Sequence, residues 1–430
     1  MRRVPGVVAY GYLFFLAIEC MGRGMKTSFK EPLQHFLEAN AEHFTELVSF
    51  VIGILGTALI QSSSSVTSMS VVLVQEGVMP LMIAAGIVHG ANLGTSVTSS
   101  VVAFATETRP LTGRPLEDLR TLLFAPRSSG FTRAVGAAVV HDLFNIITVT
   151  GILLLLELPF GIILRSSEAG ARWLAEMTTS SDGLLDLLAV ISPATYTRPV
   201  SLGLLGAGIP GWALALVGLP LLFVALKGFS ARMKALVMEG VDLTDLPQVG
   251  DTLLGRTPLD TFVRGVLVTI AVQSSSATTS MVVPLAAMGL FDVRKVFPFI
   301  LGANVGTTTT ALLAATGKLG QPGFHEGMTI ALCHLELNLL AVVLAVVVPG
   351  MSEAVLRAAR TLADAVGQTP ALLLVYLSML CGVAPAVVYF LPEAAAVAFL
   401  GAVTVALVTV PWWLQRLALA RQDHEAPGLG

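Results

Sequence analysis

Gln61-Ser62-Ser63-Ser64-Ser65 decides the fold, because the chain repeats this stretch as Gln273-Ser274-Ser275-Ser276. A second motif is repeated in the same way: Gly90-Ala91-Asn92-Leu93-Gly94-Thr95 returns as Gly302-Ala303-Asn304-Val305-Gly306-Thr307. Both pairs lie 212 positions apart (273 − 61 and 304 − 92), so the spacing between the two motifs is the same in each copy. Polar motifs repeated in the same order inside apolar sequence predict an internally duplicated membrane protein.

A third repeated motif follows each asparagine motif, with His141 and Asn145 in the first copy and His334 and Asn338 in the second. In the pattern His-x-x-x-Asn the two side chains share one helix face, one turn apart. We favour a structural hydrogen bond between helices at these positions, and a proton relay is the alternative.

The composition also indicates a polytopic membrane protein. Hydrophobic residues make up 54% of the 430 residues and charged residues only 12%, which is too little charge to cover a soluble protein of this size. The net charge of −3 indicates neither a nucleic acid nor an acidic partner. Cys20, Cys333 and Cys381 are scattered and form neither a disulfide framework nor a metal-binding spacing.

Eight apolar segments are close to the ~20 residues that cross the hydrocarbon core of a bilayer. They cover 5–22, 80–105, 134–158, 201–226, 295–317, 328–349, 370–391 and 394–415. The first resembles a signal peptide, but no small-x-small cleavage site follows it, so we expect a retained helix. Polar or mixed segments are expected to lie at the membrane interface as amphipathic helices, at 24–45, 228–250 and 351–368.

The two glutamine–serine motifs lie in segments of another kind, 46–77 and 258–290, each with an apolar arm, a polar centre and a second apolar arm. We predict re-entrant helical hairpins, which are tolerated where protein or a water cavity surrounds the exposed backbone. With a cytoplasmic N-terminus this topology places 16 of the 25 basic residues inside and seven outside. If both segments spanned instead, the arginine-rich loop 106–133 would lie outside.

Three spans separate the two hairpins, so the hairpins enter from opposite faces and the repeats are inverted. The predicted fold is an all-α polytopic protein with two inverted repeats, each holding a hairpin and an interrupted transmembrane helix. Its parts are 1–45 (first helix and interfacial segment), 46–158 (repeat 1), 159–257 (external loop, one span and an interfacial segment), 258–350 (repeat 2) and 351–430 (interfacial segment and two spans).

The hairpin tips have the chemistry of an anion site. The second arm of each hairpin begins after its glutamine, and a helix N-terminus offers free N–H groups and a positive dipole end. No lysine or arginine lies between Lys30 and Arg109, or between Arg264 and Arg294. A bound anion would therefore need a mobile counter-charge, and sodium suits hydroxyl and carbonyl oxygens. Because each ion would then neutralise the charge of the other, binding of the two ions would be coupled, as symport requires.

Other interpretations of the same residues are structural. A serine run in a membrane helix can join helices, and glycines beside an asparagine can allow close helix contact instead of loosening the helix. A serine-nucleophile enzyme is disfavoured because no Gly-x-Ser-x-Gly elbow occurs and neither repeated histidine has an evident serine partner.

The paired glutamine–serine motifs, the paired Gly-Ala-Asn-x-Gly-Thr motifs and the His-x-x-x-Asn after each resemble the type II sodium–phosphate cotransporters. The resemblance covers about 46–158 and 258–350. It implies sodium-driven uptake of inorganic phosphate by alternating access, with no cofactor other than sodium as the coupling ion. In that family the serines after each glutamine are associated with phosphate; here these are Ser62, Ser63, Ser274 and Ser275.

The resemblance also implies sodium ligands among the glutamines, the later serines and the threonines: Gln61, Ser65, Gln273, Ser276, Thr307 and Thr308. To these we add Asn92 and Asn304 at the phosphate and Thr95 at sodium, because the asparagine motifs are expected to complete the cavity. The loop 159–200 lacks the cysteines and glycosylation acceptors of animal members, which favours a bacterial inner-membrane protein with both termini cytoplasmic. Transport of another oxyanion (sulfate or a carboxylate), an anion channel and a non-transporting membrane scaffold are the alternatives.

Overall fold

The computed structural model describes residues 4–28, 30–39, 45–107, 114–180, 193–239 and 254–425. All regular secondary structure within these ranges is helical, which confirms the predicted all-α class. The helices before the central region are α1 (Val4–Ser28), α2 (Lys30–Ala39), α3 (Glu46–Ile60), α4 (Ser63–Gln75), α5 (Leu81–Ala91), α6 (Ser96–Ala105), α7 (Pro115–Phe124) and α8 (Ser129–Ile152). Helix α8 continues through a π-helical turn over Leu153–Glu157 and ends at Phe160.

Three helices connect the halves: α9 (Ile162–Ser180), α10 (Pro193–Gly206) and α11 (Gly211–Glu239). The second half contains α12 (Pro258–Val272), α13 (Ser275–Ala287), α14 (Val293–Ala315), α15 (Phe324–Val347), α16 (Met351–Gln368), α17 (Ala371–Ser378), α18 (Ala384–Phe390) and α19 (Glu393–Glu425). A π-helical turn over Met379–Val383 joins α17 to α18.

Within the described ranges, six helices are long and apolar enough to cross a membrane. They are Ser129–Phe160, Gly211–Gly228, Val293–Lys318, Phe324–Val347, Ala371–Phe390 and Glu393–Pro411. Segment 5–22 is helical within α1 but is not among the six, and 80–105 is split into two shorter helices. The number of eight spans therefore stays a prediction.

Two predicted boundaries need correction. The span expected at 201–226 begins later, because α10 ends at Gly206 and a turn with Gly208 at φ 86° precedes α11. The segment 159–200, expected as a loop, is helical over α9, which packs against α15. Of the predicted interfacial segments, 351–368 forms α16, with an apolar side facing the core; parts of the other two, 40–44 and 240–250, lie outside the described residues.

Both predicted hairpin segments consist of two helices that meet at the glutamine, α3 with α4 and α12 with α13. The second arms pack on the opposite half of the chain. Helix α4 lies against α14 and α15, and α13 lies against α6 and α8. The two copies are therefore interlocked around α8 and α14, which meet through an edge contact between Phe144 and Phe297.

Only the first asparagine motif interrupts its helix, so the break expected in the second copy is wrong. Helix α5 ends at Ala91 and α6 begins at Ser96, whereas α14 runs without a break through Asn304. The difference follows from the third motif. Asn145 Nδ2 donates to the main-chain carbonyl of Asn92 (3.0 Å), while its counterpart Asn338 donates to the carbonyl of His334 in its own helix (2.8 Å).

Repeated glycines bring the first hairpin arm and the asparagine-motif helix into backbone contact. A Cβ built on Gly90 would lie 1.9 Å from the carbonyl oxygen of Phe50, and one on Gly302 would lie 2.0 Å from that of Phe262. Gly53 and Gly265 are crowded in the same way by the carbonyls of the facing helices. Close helix contact, the structural interpretation of these glycines, is therefore what the fold uses in both copies.

We expect Gly302→Ala to lower the stability of the protein in detergent by about 1–3 kcal/mol, because α12 and α14 must separate to accept the methyl group. The measurement is the thermal unfolding midpoint. Gly151→Ala is the matched control: no atom lies within 4 Å of a Cβ on Gly151, and alanine is the better helix former there. Equal midpoints for the two variants would contradict the close backbone contact.

Candidate functional site

The two glutamines at the hairpin tips have the same unusual backbone conformation. Gln61 (φ 57°) and Gln273 (φ 56°) are the only non-glycine residues with positive φ among those the structure describes. Each closes the first arm with its main-chain N–H, on Thr57 O and Thr269 O, both at 2.7 Å. Each side-chain amide also donates to a carbonyl of its own arm, Ala58 O and Ile270 O. The glutamine thus ends one helix and turns the chain into the next.

The serine after each glutamine is the N-cap of the second arm. Ser62 and Ser274 are extended, with φ −156° and −158°, and each Oγ accepts from the main-chain N–H three residues later, both at 3.2 Å. Ser65 adds a hydroxyl contact to Ser62 Oγ at 2.8 Å. The amides of Ser63 and Ser275 belong to the first turn, where a helix offers its N–H groups without an acceptor of its own.

The two tips touch each other. Ser64 Oγ donates to the main-chain carbonyl of Gln273 at 3.3 Å, across 209 positions of sequence. Farther along the second arm, Ser99 Oγ and Thr279 Oγ1 lie 2.9 Å apart and join α6 to α13. Gln61 and Ser62 are half-buried, whereas Ser63, Ser64, Ser65, Gln273, Ser275 and Ser276 are buried. The tips of the two hairpins are therefore in contact through Ser64 and Gln273.

Oxygen atoms dominate this region. Gln273 Oε1 accepts a hydrogen bond from Thr310 Oγ1 at 2.7 Å. The predicted sodium ligands on the same helix, Thr307 and Thr308, donate to the carbonyls of Ala303 and Val305 in α14. In the first copy Thr95 Oγ1 donates to Asn92 O at 3.2 Å. No basic side chain lies within either tip sequence, so neutral oxygen atoms and amides are the available ligands.

The asparagines of the second motif are held by the histidine–asparagine pairs of the opposite copy. Asn304 Oδ1 lies 2.5 Å from His141 Nε2, and Asn304 Nδ2 donates to Asn145 Oδ1 at 2.6 Å. In the mirror arrangement Asn92 Oδ1 faces both His334 Nε2 and Asn338 Nδ2 at 3.4 Å. These buried contacts match the structural hydrogen bond that we favoured for His141 and His334. They also mean that Asn92 and Asn304 face histidine and asparagine side chains in this structure.

Four contact residues were not among the predicted ligands: Ser64, Ser99, Thr279 and Thr310. Three of them carried a signal in the sequence. Ser64 belongs to the first glutamine–serine motif and corresponds to Ser276, 212 positions later. Thr279 belongs to a repeated Thr-Ser-Met motif and lies one helical turn after Ser275, and Thr310 ends the run of four threonines that begins at Thr307. Ser99 carried none, because its counterpart 212 positions later is Ala311.

The model of a known family, described as Na+/Pi-cotransporter, matches residues 13–113 and 247–382, which is more than half of the chain. The chain belongs to the Na+/Pi-cotransporter family. The match includes both glutamine–serine motifs and both asparagine motifs, and with the apolar helices it identifies a multi-pass membrane protein.

Among curated relatives, the mouse sodium-dependent phosphate transport protein 2A is 27% identical over 389 residues, covering 80% of this chain and 60% of that protein. The human sodium-dependent phosphate transport protein 2B is 24% identical over 425 residues, covering 79% of this chain and 58% of that protein. The chain thus spans about 60% of the length of the relatives it matches. No solved structure gave a significant match.

Proposed function

We propose that this protein is a sodium-driven symporter of inorganic phosphate. The observation that carries the proposal is the meeting of two identically built hairpin tips, joined by the hydrogen bond from Ser64 to Gln273. Family membership and the printed names of the relatives, which are sodium-dependent phosphate transport proteins, support the choice of ions.

Phosphate is assigned to the space between the starts of α4 and α13. Each start offers first-turn N–H groups and serine hydroxyls, which are donors that suit an oxyanion. The proposed contacts are Ser62, Ser63, Ser274 and Ser275. Because the N-cap serines already accept one N–H each, their hydroxyl hydrogens are free to point toward an anion.

Sodium supplies the positive charge that the site lacks. Its proposed ligands are Gln61, Ser65, Gln273, Ser276, Thr95, Thr307 and Thr308. A hard cation prefers such oxygen ligands, and the hydroxyl of Thr310 beside Gln273 Oε1 adds one more. Neither ion alone is balanced by the protein, so each favours the binding of the other, which couples the two fluxes.

Transport requires the two copies to move relative to one another. In this proposal Asn92 and Asn304 reach phosphate only after they exchange their hydrogen bonds to the histidine–asparagine pairs. The network therefore links occupancy of the site to the relative position of the repeats. Alternating access between two inverted repeats is the proposed mechanism, in a bacterial cytoplasmic membrane with both termini inside.

The contacts at the ends of the second arms agree with this topology. Glu76, at the end of α4, pairs with Lys26 (3.4 Å) and Lys318 (2.7 Å), two lysines that the proposed topology places outside. Arg133, assigned to the inside, donates to the carbonyls of Ala286 and Ala287 at the end of α13. Each arm is thus fastened at the face from which its hairpin is proposed to enter.

Uptake into proteoliposomes tests the proposal. We expect labelled phosphate to accumulate against its gradient when sodium is imposed outside, and not when potassium replaces sodium. Equal uptake in both salts would exclude sodium coupling, and equilibration without accumulation would indicate a channel. Strong competition by sulfate or a carboxylate would favour transport of a different oxyanion.

Ser62→Ala and Ser274→Ala should each weaken the apparent phosphate affinity by about 5- to 150-fold, because each removes a donor from a buried anion at a cost of about 1–3 kcal/mol. Ser62→Gly separates binding from folding, since glycine at an N-cap costs only a few tenths of a kcal/mol. Ser70→Ala in the same helix is the control, because Ser70 Oγ donates to its own helix at Val66 O (3.0 Å). Unchanged affinity in both alanine variants would refute the placement of phosphate at the tips.

The proposed topology predicts that cysteines introduced at Ser128 and Ser180 lie on opposite faces of the membrane. The three native cysteines, Cys20, Cys333 and Cys381, are free and would first be replaced by alanine. In oriented vesicles a membrane-impermeant maleimide should label only one of the two introduced cysteines before permeabilisation and both after it. Labelling of both from one side would contradict the inverted arrangement.

A further inference from the structure

One pair of ionisable side chains, a buried histidine and a glutamate that is 15% exposed, lies beside the duplicated network and does not belong to it. His89 in α5 is 1% exposed, and its Nδ1 lies 3.8 Å from Oε1 of Glu46, the first residue of α3. The positions 212 residues later are Pro258 and Leu301, so the second copy has no such pair. A pair present in one copy only is not required by the duplicated tip geometry.

The polar atoms of this pair lack partners. Within the described residues, Glu46 Oε1 and both ring nitrogens of His89 are buried without a hydrogen bond. His334 Nδ1 and Asn338 Oδ1 are in the same condition, and His334 is close enough to His89 to interact with it electrostatically. Unsatisfied buried groups of this kind call for a bound species, and here they run from Glu46 to the residues around Asn92.

The surroundings of Glu46 determine which species fits. Among the residues that the structure describes, the ionisable groups that interact with Glu46 are His89, Glu157 and Glu393, and those that interact with His89 are Glu46 and His334. No lysine or arginine is among these described groups, so an ionised Glu46, which is largely withdrawn from solvent, would lie beside other carboxyl groups without a fixed counter-charge. Such a group takes up a proton, and the adjacent imidazole is a suitable acceptor for the hydrogen of a neutral carboxyl group.

We propose that Glu46 and His89 form a proton-binding site, in which Glu46 carries the proton and directs it toward His89 Nδ1, and that this proton leaves when sodium binds. The coupling to sodium rests on the proposed function. In the step, the O–H bond of Glu46 breaks, the proton passes to water and the carboxylate remains, so the positive charge that leaves offsets the positive charge that sodium brings. Glu393, which is exposed, is close enough to Glu46 to interact with it electrostatically.

The geometry gives the pair a connection to the tips. Glu46 begins the arm that ends at Gln61, and His89 lies three residues before Asn92 on α5. The two helices are held in register, because a Cβ on Gly86 would lie 2.8 Å from Glu46 O and 2.7 Å from Ser49 Cβ. A protonated Glu46 is neutral, whereas its carboxylate is negative and attracts a cation at the tip. The helix between them has 15 residues and is therefore about 22 Å long, so sodium binding is expected to favour loss of the proton through a weak, long-range attraction.

Infrared difference spectroscopy of the purified full-length protein tests the proton site without sodium or phosphate. We expect a protonated carboxyl band in the wild type that is lost in Glu46→Gln and shifted in His89→Gln. Glu353→Gln is the matched control, because Glu353 is exposed and paired with Arg294 at 2.6 Å and should leave the band unchanged. Absence of the band in the wild type, or its persistence in Glu46→Gln, would overturn the proposal. If Glu46→Gln fails to fold, the His89→Gln variant tests the proposal instead: a shifted carboxyl band supports it, and an unshifted band overturns it.

A second measurement tests the exchange. Sodium is added without phosphate to the protein in weakly buffered solution with a pH indicator, and potassium serves as the salt control. We expect sodium to release protons from the wild type and from Glu353→Gln, and to release at least severalfold fewer from Glu46→Gln. Sodium-driven uptake without any proton release would overturn the exchange while leaving the symporter intact. A carboxyl band assigned to Glu46 in a protein without sodium-dependent uptake would refute the proposed function instead.

Discussion

A polar side chain at the centre of a bilayer finds no water, so every such group must be satisfied by the protein itself. This chain meets part of the constraint by exchange between its two copies. His141 and Asn145 bond to Asn304 of the second copy, and His334 and Asn338 face Asn92 of the first. Neither copy completes its own set, so burial of these groups requires both copies to pack together. The cross-packing of α4 and α13 follows the same rule.

The tips add a second constraint, because a helix that stops inside a protein leaves carbonyl and amide groups to be bonded. A glutamine in the left-handed conformation, together with the serine after it, satisfies the free groups at the end of one arm and at the start of the next. The glutamine donates its main-chain N–H and its side-chain amide to the arm it ends, and the next serine caps the arm that follows. A glycine would adopt this φ at lower cost but would have no side-chain amide to donate. The strained glutamine is therefore explained by the bonds it makes, and it appears twice because both tips need them.

The repeated motifs allowed the all-α class, the two helices of each hairpin segment and the contact between the hairpin tips to be predicted, because each copy supports the interpretation of the other. The sequence was less informative where the copies differ or tertiary contacts decide. The break after Ala91 and the unbroken helix through Asn304 depend on which carbonyl an asparagine amide selects, and the two motifs are nearly identical. The start of α11 was misplaced because hydropathy alone does not register the turn at Gly208. Thr310 was overlooked because its contact with Gln273 joins residues 37 positions apart.

The differences between the copies bear on how such a fold can work. Two identical halves would give two states of equal free energy, one the mirror image of the other, and nothing in the protein would favour either. Here α5 is broken where α14 is continuous, and one arm end is fastened by lysines at a carboxylate while the other is fastened by an arginine at carbonyls. The two fastenings also differ in strength, since a carboxylate paired with two ammonium groups responds to charge and salt more than carbonyls that accept from a guanidinium. In the proposed mechanism, duplication therefore builds the site, and divergence between the copies gives its two sides different energies.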